Sequence, residues 1–472
     1  MGKKITIIGG GSAMFVPLLL RKFISSETLR GSTVALMDVD AHRLEVMDIL
    51  GRRLIEHEGV DLKIESTLNQ REALAGADFV IVAIAVGGND AWEQDIEIPG
   101  NYGVFMHVHD SIGPGGMLRA FRHAPIMQRI CQDLRELSPH AWVLNYTNPA
   151  TALSMVMRTV PEVNSVSLCS CSAYTTNVDL FAAWAGVAPD ELAMPPVVGG
   201  LNHCAAILDL RLKDGRSALP LMRQRGAEQI RAYVQEHHPG TPASMVDQMI
   251  LSIGLTEPLA NWFYDQYGLM PYCWTHWIEF YPNLQRLAQP YTGRAQGLPI
   301  KYGRKMYDMV DERKRARKWQ DLAERWSSAE YAGEVSLANL PAGEQDSGIE
   351  VVEIIEAIVE GRNRVHAVNT TNHGAIENLP DDAIVEVNAL VNGYGIAPIH
   401  VGRLPEPIAA QLRLHYSVQQ LTVQAALSGD RRTALHAFLL DPLVSSVLEI
   451  EQTEQMLDDM LRANARYLPR FA

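Results

Sequence analysis

The sequence predicts an α/β protein that begins with a dinucleotide-binding domain of the Rossmann type. A β-branched run, Ile5–Ile8, enters a glycine turn at residues 9–11 and is followed by an apolar helical stretch. Further apolar runs, at residues 34–38, 77–85 and 141–145, alternate with helical patterns. Near-continuous apolar strands are typical of a parallel sheet that helices cover on both faces.

The glycine turn matches part of the G-x-G-x-x-G fingerprint of dinucleotide-binding proteins. Gly9 and Gly11 occupy the first two glycine positions, whereas Met14 stands at the third. Glycines let backbone N–H groups approach a pyrophosphate, and the N-terminus of the following helix favours its negative charge. We therefore predict that Gly9, Gly10, Gly11 and the adjacent Ser12 bind a dinucleotide.

The second apolar run ends in Asp38, at a position where an acidic residue selects NAD over NADP. Its carboxylate can accept hydrogen bonds from the adenosine ribose hydroxyls. Asp38 lies 27 residues beyond Gly11, somewhat past the usual gap of about 20. The alternative is that Asp38 caps the helix that the pattern from His42 to Glu56 predicts.

Composition limits the classes of partner. The formal net charge of −14 argues against nucleic acid and anionic membrane surfaces, which attract basic proteins. The five cysteines show no paired spacing, as expected in a reducing compartment. No apolar run is long enough to span a bilayer. Together with the net charge and the cysteine pattern, this leads us to expect a cytoplasmic protein without a membrane or nucleic-acid partner.

The chain of 472 residues is long enough for two or three domains. We assign residues 1–198 to the dinucleotide-binding domain and residues 199–472 to a mixed α+β domain. In the latter, strands are predicted near residues 364–369 and 383–387, and helices from 405 to 468. No linker rich in Pro, Gly or Ser separates the two parts, so we expect them to pack directly on each other.

Two residues have the chemistry of metal ligands. Cys169 follows a short apolar run, and His203 comes about thirty residues later, after a pair of glycines. Thiolate and imidazole both bind borderline divalent ions, and two protein ligands would leave positions open for substrate oxygens. The alternative is a small buried cysteine and a hydrogen-bonded core histidine.

Two further segments have the composition of ligand sites. Asp110 lies in a polar, glycine-dense loop, residues 107–116, of the kind that binds ligands at the carboxyl edge of a parallel sheet. The alternative is that Asp110 caps the helix that follows. Residues 262–277 are rich in aromatic side chains, which often line sugar sites but also form packed cores.

Together, these segments resemble glycoside hydrolase family 4, the NAD- and metal-dependent glycosidases. The resemblance extends over essentially the whole chain and is closest to the branch that acts on unphosphorylated α-glycosides, such as α-galactosidases. It rests on Ile8-Gly9-Gly10-Gly11-Ser12, Leu36-Met37-Asp38-Val39-Asp40, Gly113-Pro114-Gly115-Gly116, Asn145-Tyr146-Thr147-Asn148-Pro149, Cys169, Asn202-His203, Asn378-Leu379-Pro380, Val385-Glu386-Val387 and Val401-Gly402-Arg403-Leu404-Pro405.

The resemblance implies a redox elimination and a fold like that of lactate and malate dehydrogenases in its first part. NAD⁺ takes hydride from C3 of the sugar, which acidifies the proton on C2. A base removes that proton while a divalent metal such as Mn²⁺ stabilises the charge, and the aglycone leaves by elimination. Water then adds and the hydride returns, so that no net oxidation occurs. The family also implies a homodimer or homotetramer.

The resemblance also implies roles for particular residues. Asn145 and Asn148 are expected at the cofactor, and Asn148 and Asn202 at the substrate, while Cys169 and His203 bind the metal. Asp110 is the candidate for proton transfer to the leaving group. Tyr267 is the candidate base at C2, because Tyr-Gly-Leu-Met-Pro at residues 267–271 resembles a Tyr-x-Leu-x-Pro segment of phosphosugar relatives.

The residue after Cys169 departs from the family pattern. Phosphosugar members carry Asp or Asn there, followed shortly by Pro, whereas this chain has Ser170 and no nearby proline. A 6-phosphate substrate is therefore not expected. Many other members have His at this position, and serine cannot replace it as a general acid. Two alternatives remain: a metal-free dehydrogenase of the malate or lactate type, and a degenerate NAD-binding sensor.

Overall fold

The computed structural model of the protein describes residues 2–106, 108–169, 178–224, 232, 235–236, 260–273, 276–287, 309–340 and 349–471. Within these ranges, twelve strands form one mixed sheet. The strands are β1 Lys4–Ile8, β2 Ser32–Met37, β3 Leu62–Thr67, β4 Phe79–Val82, β5 Trp142–Asn145, β6 Asn164–Ser167, β7 Val197–Leu201, β8 Cys204–Asp209, β9 Met270–Pro271, β10 Arg364–Thr371, β11 Ile384–Asn392 and β12 Gly395–Pro398.

Helices cover this sheet and form much of the C-terminal region. The α-helices are Val16–Ser25, Ala41–Glu58, Gln70–Leu74, Gly88–Asn101, Gly113–Leu137, Ala150–Met157, Val178–Ala185, Leu219–Gln224, Pro282–Leu287, Met309–Ser327, Ile349–Glu360, Glu406–Ser428, Arg431–Leu440, Pro442–Val447 and Ile450–Ala463. Among the described residues, none of these helices has the length and apolarity needed to cross a membrane.

The first six strands form the predicted parallel sheet, in the order β3-β2-β1-β4-β5-β6. In β4, Phe79 and Ile81 belong to one hydrophobic core, whereas Val80 and Val82 belong to another. Alternate side chains of a strand point to opposite faces, so both faces of the sheet are covered. The prediction of a Rossmann-type domain is confirmed, although β3 was not predicted.

The second half of the chain extends the same sheet with antiparallel strands. Strand β10 pairs with β6, and the order continues β10-β11-β7-β8-β9, with β12 on β11. The predicted mixed α+β region therefore docks directly on the parallel half. The boundary predicted between residues 198 and 199 falls inside β7, and the division into two domains stays a prediction.

This continuous sheet brings distant polar residues into one row. Asn145 on β5 pairs with Ser167 on β6, which pairs with Asn369 on β10. Asn369 pairs with Glu386 on β11, and Glu386 pairs with Gly200 on β7. Directly paired residues lie side by side on one face. The row therefore runs from the parallel half into the hairpin that carries His203.

Candidate functional site

The turn after β1 passes so close to two neighbouring strands that a side chain at its first glycine positions would not fit. A Cβ on Gly9, whose φ is +98°, would lie 2.1 Å from the carbonyl oxygen of Ala83, and one on Gly10 would lie 2.7 Å from the Met37 nitrogen. The N–H groups of Gly9 and Gly10 donate to the Met37 carbonyl at 3.0 and 2.8 Å. The turn is thus packed against the carboxyl ends of β2 and β4.

Asp38 contacts the glycine turn and does not cap the next helix. Its Oδ2 accepts the N–H of Gly11 at 2.8 Å, and its Oδ1 accepts the N–H of Asp40 at 3.0 Å. The helix Ala41–Glu58 is capped by Asp40, whose side chain accepts from Arg43. The structure therefore places the Asp38 carboxylate beside the turn, where the ribose interpretation requires it.

Two other residues predicted to bind the cofactor make local hydrogen bonds. The Asn145 side chain is fully buried, donates to the Thr147 carbonyl and Ser167 Oγ, and accepts the Thr147 N–H at 2.9 Å. Ser12 Oγ accepts the N–H of Phe15 at 3.2 Å, just before the helix that starts at residue 16. Asn145 therefore holds the segment that leads to Asn148.

Asp110 and Asn148, both among the residues predicted for the site, lie in contact. Asn148 Nδ2 donates to Asp110 Oδ2 at 2.7 Å, and Ser111 Oγ donates to Asp110 Oδ1 at 2.6 Å. The helix Gly113–Leu137 begins behind Ile112 without a side-chain cap, so Asp110 does not cap it. The carboxylate instead lies among polar groups from β5 and from the β7–β8 hairpin.

Positive charges determine the protonation state of Asp110. Burial alone raises the pKa of this carboxyl, but His276, His203 and Arg119 together lower the pKa to about 2. A group with this pKa is ionised at neutral pH. It therefore starts a reaction as a proton acceptor, and it can donate a proton to a leaving group only after it has taken one up.

His203 occupies the turn of the hairpin between β7 and β8. Leu201 pairs with Cys204, so that Asn202 and His203 form the connection, and His203 has a φ of +66°. A residue other than glycine in this region is strained, and such strain persists where the surroundings fix the conformation. His203 Nδ1 lies 2.8 Å from Ser111 Oγ and 3.9 Å from the Asp110 carboxylate.

The structure brings the two predicted metal ligands together. Cys169 and His203 are both buried, and their side chains form a hydrogen bond. Burial lowers the pKa of His203, but the negative charge and hydrogen bond of Cys169, together with the negative charges of Cys273 and Asp110, outweigh this effect and raise the pKa well above its ordinary value. Because Cys169 follows β6 and His203 follows β7, only the antiparallel docking of the second half creates this contact.

The sequence interpretation missed two neighbours of His203, namely Cys273 and His276. Cys273 Sγ lies 3.2 Å from His276 Nδ1, and the rings of His276 and His203 stack at 3.8 Å with 13° between their planes. Potential ligand atoms of His203, Cys273 and His276 all lie within 4.8 Å of one another. Both residues stood in the aromatic segment, whose Cys-x-x-His spacing was the signal that could have revealed them.

Two buried amide side chains lack local partners. Neither Asn202 nor Asn369 makes a side-chain hydrogen bond to any residue that the structure describes. Burial raises the pKa of Glu386 well above its ordinary value, and the negative charges of Cys169 and Cys273 raise this pKa further. An acidic residue within an apolar strand was the sequence signal for Glu386. The arrangement provides donors and acceptors for a bound ligand or ion.

Tyr267 lies in an aromatic group. Its ring packs edge-on against Phe263 at 4.8 Å and against Trp262 at 6.2 Å, next to the hydrophobic core. Part of the aromatic segment that was predicted to line a sugar site is therefore packed against the hydrophobic core. Ser170, on which the substrate interpretation depended, lies outside the described residues, as do His107 and Trp274.

Comparisons with known proteins identify relatives of full length. The chain is 29% identical to an alpha-galactosidase of Bacillus subtilis over 99% of this chain and 100% of the relative. It is also 29% identical to an alpha-galacturonidase of the same species, with 97% of each chain covered. A structure of 6-phospho-alpha-glucosidase from gut microorganisms, in complex with NAD and Mn²⁺, superposes with a TM-score of 0.76 at 23% identity and covers 99% of each chain.

Family descriptions match both halves of the sequence. Residues 4–183 match the family 4 glycosyl hydrolases, and residues 198–444 match the C-terminal domain of the same family. These two matches cover most of the chain and include the glycine turn, the Asp110 loop and the hairpin of His203. The protein is therefore a member of family 4 of the glycosyl hydrolases, as its motifs predicted.

Proposed function

We propose that this protein hydrolyses an unphosphorylated α-glycoside by oxidation at C3, proton removal at C2 and elimination of the aglycone. The observation that carries the proposal is the convergence of Asp110, Asn148, Cys169 and His203 in one polar cluster. Asn148 and Cys169 follow β5 and β6 at the edge where the glycine turn follows β1. Ligands of open α/β sheets bind at this edge.

The residues around the glycine turn fit NAD. Gly9 and Gly10 pack where a Cβ would clash, and Asp38 lies beside Gly11 with a partly exposed carboxylate. When bound, NAD supplies the hydride acceptor and later the hydride donor. Asp38 accepts hydrogen bonds from the ribose, and its negative charge repels the 2′-phosphate of NADP.

The residues around His203 fit a divalent ion. Cys169 and His203 offer a thiolate and an imidazole, and the buried Asn202, directly before His203, has an amide without a partner among the residues that the structure describes. When bound, the ion supplies positive charge that stabilises an enediolate. We assign Cys169 and His203 to the ion, and Asn148 and Asn202 to hydroxyl groups of the sugar.

Asp110 and Tyr267 account for the proton transfers. The C3 hydroxyl loses its proton when its hydride leaves, and the ionised Asp110 can accept that proton and pass it to the departing oxygen. Tyr267 is the predicted base at C2. This role requires the phenolate form of the side chain, which a nearby cation would stabilise.

Two of the relatives suggest a class of sugar. Two relatives of full length are named alpha-galactosidase and alpha-galacturonidase, which share the galacto configuration and differ at C6. The absence of the phosphosugar pattern after Cys169 agrees with a substrate that carries no 6-phosphate. We therefore propose an α-galactoside or α-galacturonide as the substrate class. A cytoplasmic location and a homodimeric or homotetrameric state remain predictions of the sequence.

A panel of nitrophenyl glycosides tests the proposal. Galactosides, glucosides and galacturonides of both anomers are incubated with the protein, NAD⁺ and a divalent metal, and nitrophenol and NADH are followed together. The proposal predicts nitrophenol release without net NADH, and loss of activity on chelation. Stoichiometric NADH from malate or lactate without metal would instead identify a dehydrogenase, and NAD binding without turnover of any substrate would identify a sensor.

The base at C2 is tested by solvent-deuterium exchange. Tyr267→Phe should abolish exchange at C2 while leaving NAD⁺ binding intact, because only the hydroxyl is removed. Tyr264→Phe, in the same aromatic segment, is the matched control and should exchange normally. Persistent exchange in Tyr267→Phe would transfer the role to another group, for which Tyr272 and His276 are the next variants.

A further inference from the structure

One helix from the second half of the chain connects the two elements that flank the proposed cofactor site. Strands β2 and β4 lie on either side of β1, and the helices Ala41–Glu58 and Gly88–Asn101 follow their carboxyl ends. The helix Met309–Ser327 has ion pairs with the first turns of both. We call it the crossing helix, because it runs from one side of the glycine turn to the other.

The part of the crossing helix near Arg313 is held to the helix after β4 by exposed ion pairs. Arg313 donates to Asp90 Oδ1 and to Glu93 Oε2, both at 2.7 Å. The side chains of Arg313, Asp90 and Glu93 are 43%, 62% and 35% exposed. Residues 313–318 are five basic residues and one alanine, so they offer little apolar surface for packing. Because exposed ion pairs are weak and are screened by salt, this attachment can open.

The other end of the crossing helix is anchored in the protein interior. Ala323 and Trp326 are buried in the same hydrophobic core as the helix after β2. From that helix, Arg53 donates to the carbonyl groups of Trp326 and Ser328, each at 2.6 Å. The crossing helix therefore has one fixed end and one end that can be released.

Between these ends, the crossing helix spans the carboxyl edge of the sheet. Glu324 lies 3.5 Å from His42 on the side of β2, and Arg313 contacts the helix on the side of β4. The two residues are eleven positions apart, which in a helix corresponds to about 16 Å. The glycine turn and Asp38 belong to the strand ends between these two contacts.

We propose that the crossing helix is a strap that retains NAD in its site, and that Arg313 is the positioning residue that keeps the strap closed. The inference rests on the proposed function, because it concerns the cofactor assigned there. A redox elimination returns the hydride to the same sugar, so the cofactor does not need to leave between turnovers. A strap that slows cofactor exchange suits this reaction, whereas a dehydrogenase must release its cofactor after every turnover.

A strap of this kind affects entry and release of the cofactor equally. If the cofactor exchanges only while the ion pairs of Arg313 are broken, kon and koff are both proportional to the fraction of molecules in which the strap is open. Their ratio, the Kd, then stays the same when the ion pairs are removed. Loss of a direct contact with the cofactor would instead raise koff and Kd together.

Rapid-mixing fluorescence measures cofactor exchange without any glycoside. Full-length protein loaded with NADH is mixed with excess NAD⁺ to obtain koff, and binding at several NADH concentrations gives kon and Kd. We expect Arg313→Ala to raise kon and koff by about three- to tenfold and to change Kd by less than about twofold, since only two exposed ion pairs are lost. Added salt should accelerate release from the unmodified protein more than from Arg313→Ala.

A matched control lies on the same helix. Arg325 pairs with Glu334 at 3.1 Å and lies over the ring of Tyr331, so these contacts do not reach the helix after β4. Arg325→Ala should change neither rate constant. An equal acceleration in Arg325→Ala and Arg313→Ala would show that the whole helix has loosened, and it would overturn the role of Arg313.

Variants of the opposite partners confirm or reject the contact from the other side. If Arg313→Ala does not fold, the double variant Asp90→Asn with Glu93→Gln removes the same ion pairs. Adding Arg313→Ala to this double variant should give no further acceleration, because the pairs are already absent. Unchanged koff in a folded variant, or a rise of koff with a proportional rise of Kd, contradicts the strap.

The outcomes separate this inference from the proposed function. Faster exchange in Arg313→Ala, combined with no hydrolysis of any glycoside by the unmodified protein, would support the strap and reject the glycosidase. Hydrolysis by the unmodified protein, combined with unchanged exchange in Arg313→Ala, would support the glycosidase and reject the strap. Absence of NADH binding by the unmodified protein would reject both.

Discussion

Ser111 lies between the carboxylate of Asp110 and the imidazole of His203, and its hydroxyl connects them. Its Oγ donates to Asp110 Oδ1 at 2.6 Å and lies 2.8 Å from His203 Nδ1. Since a hydroxyl has one proton and an ionised carboxylate only accepts, His203 Nδ1 must donate to Ser111. In the neutral ring this contact keeps the proton on Nδ1, so that Nε2 is the nitrogen a metal ion would use, and Ser111 thereby connects Asp110 to the proposed metal ligand.

Removal of this hydroxyl should weaken metal binding. We expect Ser111→Ala to lower the metal affinity by about 10–100-fold, because it frees the His203 ring to change tautomer and orientation. Competition with a chromophoric chelator measures the effect. Ser445→Ala removes an exposed serine hydroxyl that bonds only locally, to the Pro442 carbonyl, and should leave the affinity unchanged. Equal affinities in the two variants would mean that Ser111 does not orient His203.

Asp38 and Asp40 provide a matched pair for cofactor selection. Asp38→Ala should raise the Kd for NAD⁺ roughly 10–100-fold, since hydrogen bonds to charged groups contribute about 1.5–3 kcal/mol, and it should reduce discrimination against NADP⁺. Asp40→Ala removes the helix cap instead and should cost about 1 kcal/mol of stability with no change in cofactor preference. Fluorescence titration with both cofactors distinguishes the two effects. Equal binding of NAD⁺ and NADP⁺ by the unmodified protein would reject the role of Asp38.

The strands that the sequence predicted are those with the simplest pattern. β1, β4 and β5 are nearly continuous apolar runs because helices cover both of their faces. The missed strand β3 lies at the edge of the sheet, and it alternates between buried Leu62 and Ile64 and exposed Lys63 and Glu65. A search for continuous apolar runs overlooks such a strand.

The contacts of the candidate site could be predicted only where they involve sequence motifs at the ends of successive strands. The glycine turn and Asp38 lie at successive strand ends, so residue type and order were sufficient to predict that they lie beside each other. The partners of His203 come from the loop at residue 111, from the end of β6 and from the segment near residue 276. Their contact depends on how β10, β11 and β7 add to the parallel sheet, which no local pattern specifies.

A buried helix cap should give the protein a characteristic pH dependence. Asp441 caps the helix Pro442–Val447 by accepting the N–H groups of Leu443 and Val444, and burial raises its pKa to about 6. A carboxyl with a raised native pKa stabilises the fold below its unfolded pKa of about 4, and this contribution is lost as the pH rises through 6. Asp441→Asn keeps the cap but cannot ionise.

The unfolding free energy of Asp441→Asn should therefore rise relative to the unmodified protein by about 2–3 kcal/mol between pH 4 and pH 7. Urea unfolding at several pH values measures this difference. Asp430 is the matched control, because it caps an exposed helix start and hydrogen bonds from Thr433 lower its pKa. Asp430→Asn should lose stability relative to the unmodified protein above pH 4. If the difference in unfolding free energy between Asp441→Asn and the unmodified protein does not change with pH, this carboxyl does not titrate between pH 4 and pH 7.

The redox elimination predicts unusual tolerance of the leaving group. In ordinary glycosidases an acid protonates the departing oxygen, and the carboxylates are arranged for one anomer. Here departure follows loss of an acidified C2 proton, and the ionised Asp110 carries no proton at the start. We expect aryl glycosides and the matching thioglycosides to react within about tenfold of each other, a barrier difference of about 1.4 kcal/mol. Deuterium at C2 or C3 should give a primary isotope effect, because both C–H bonds break. A steep dependence of the rate on leaving-group pKa, without an isotope effect at either carbon, would show that acid-catalysed hydrolysis operates instead.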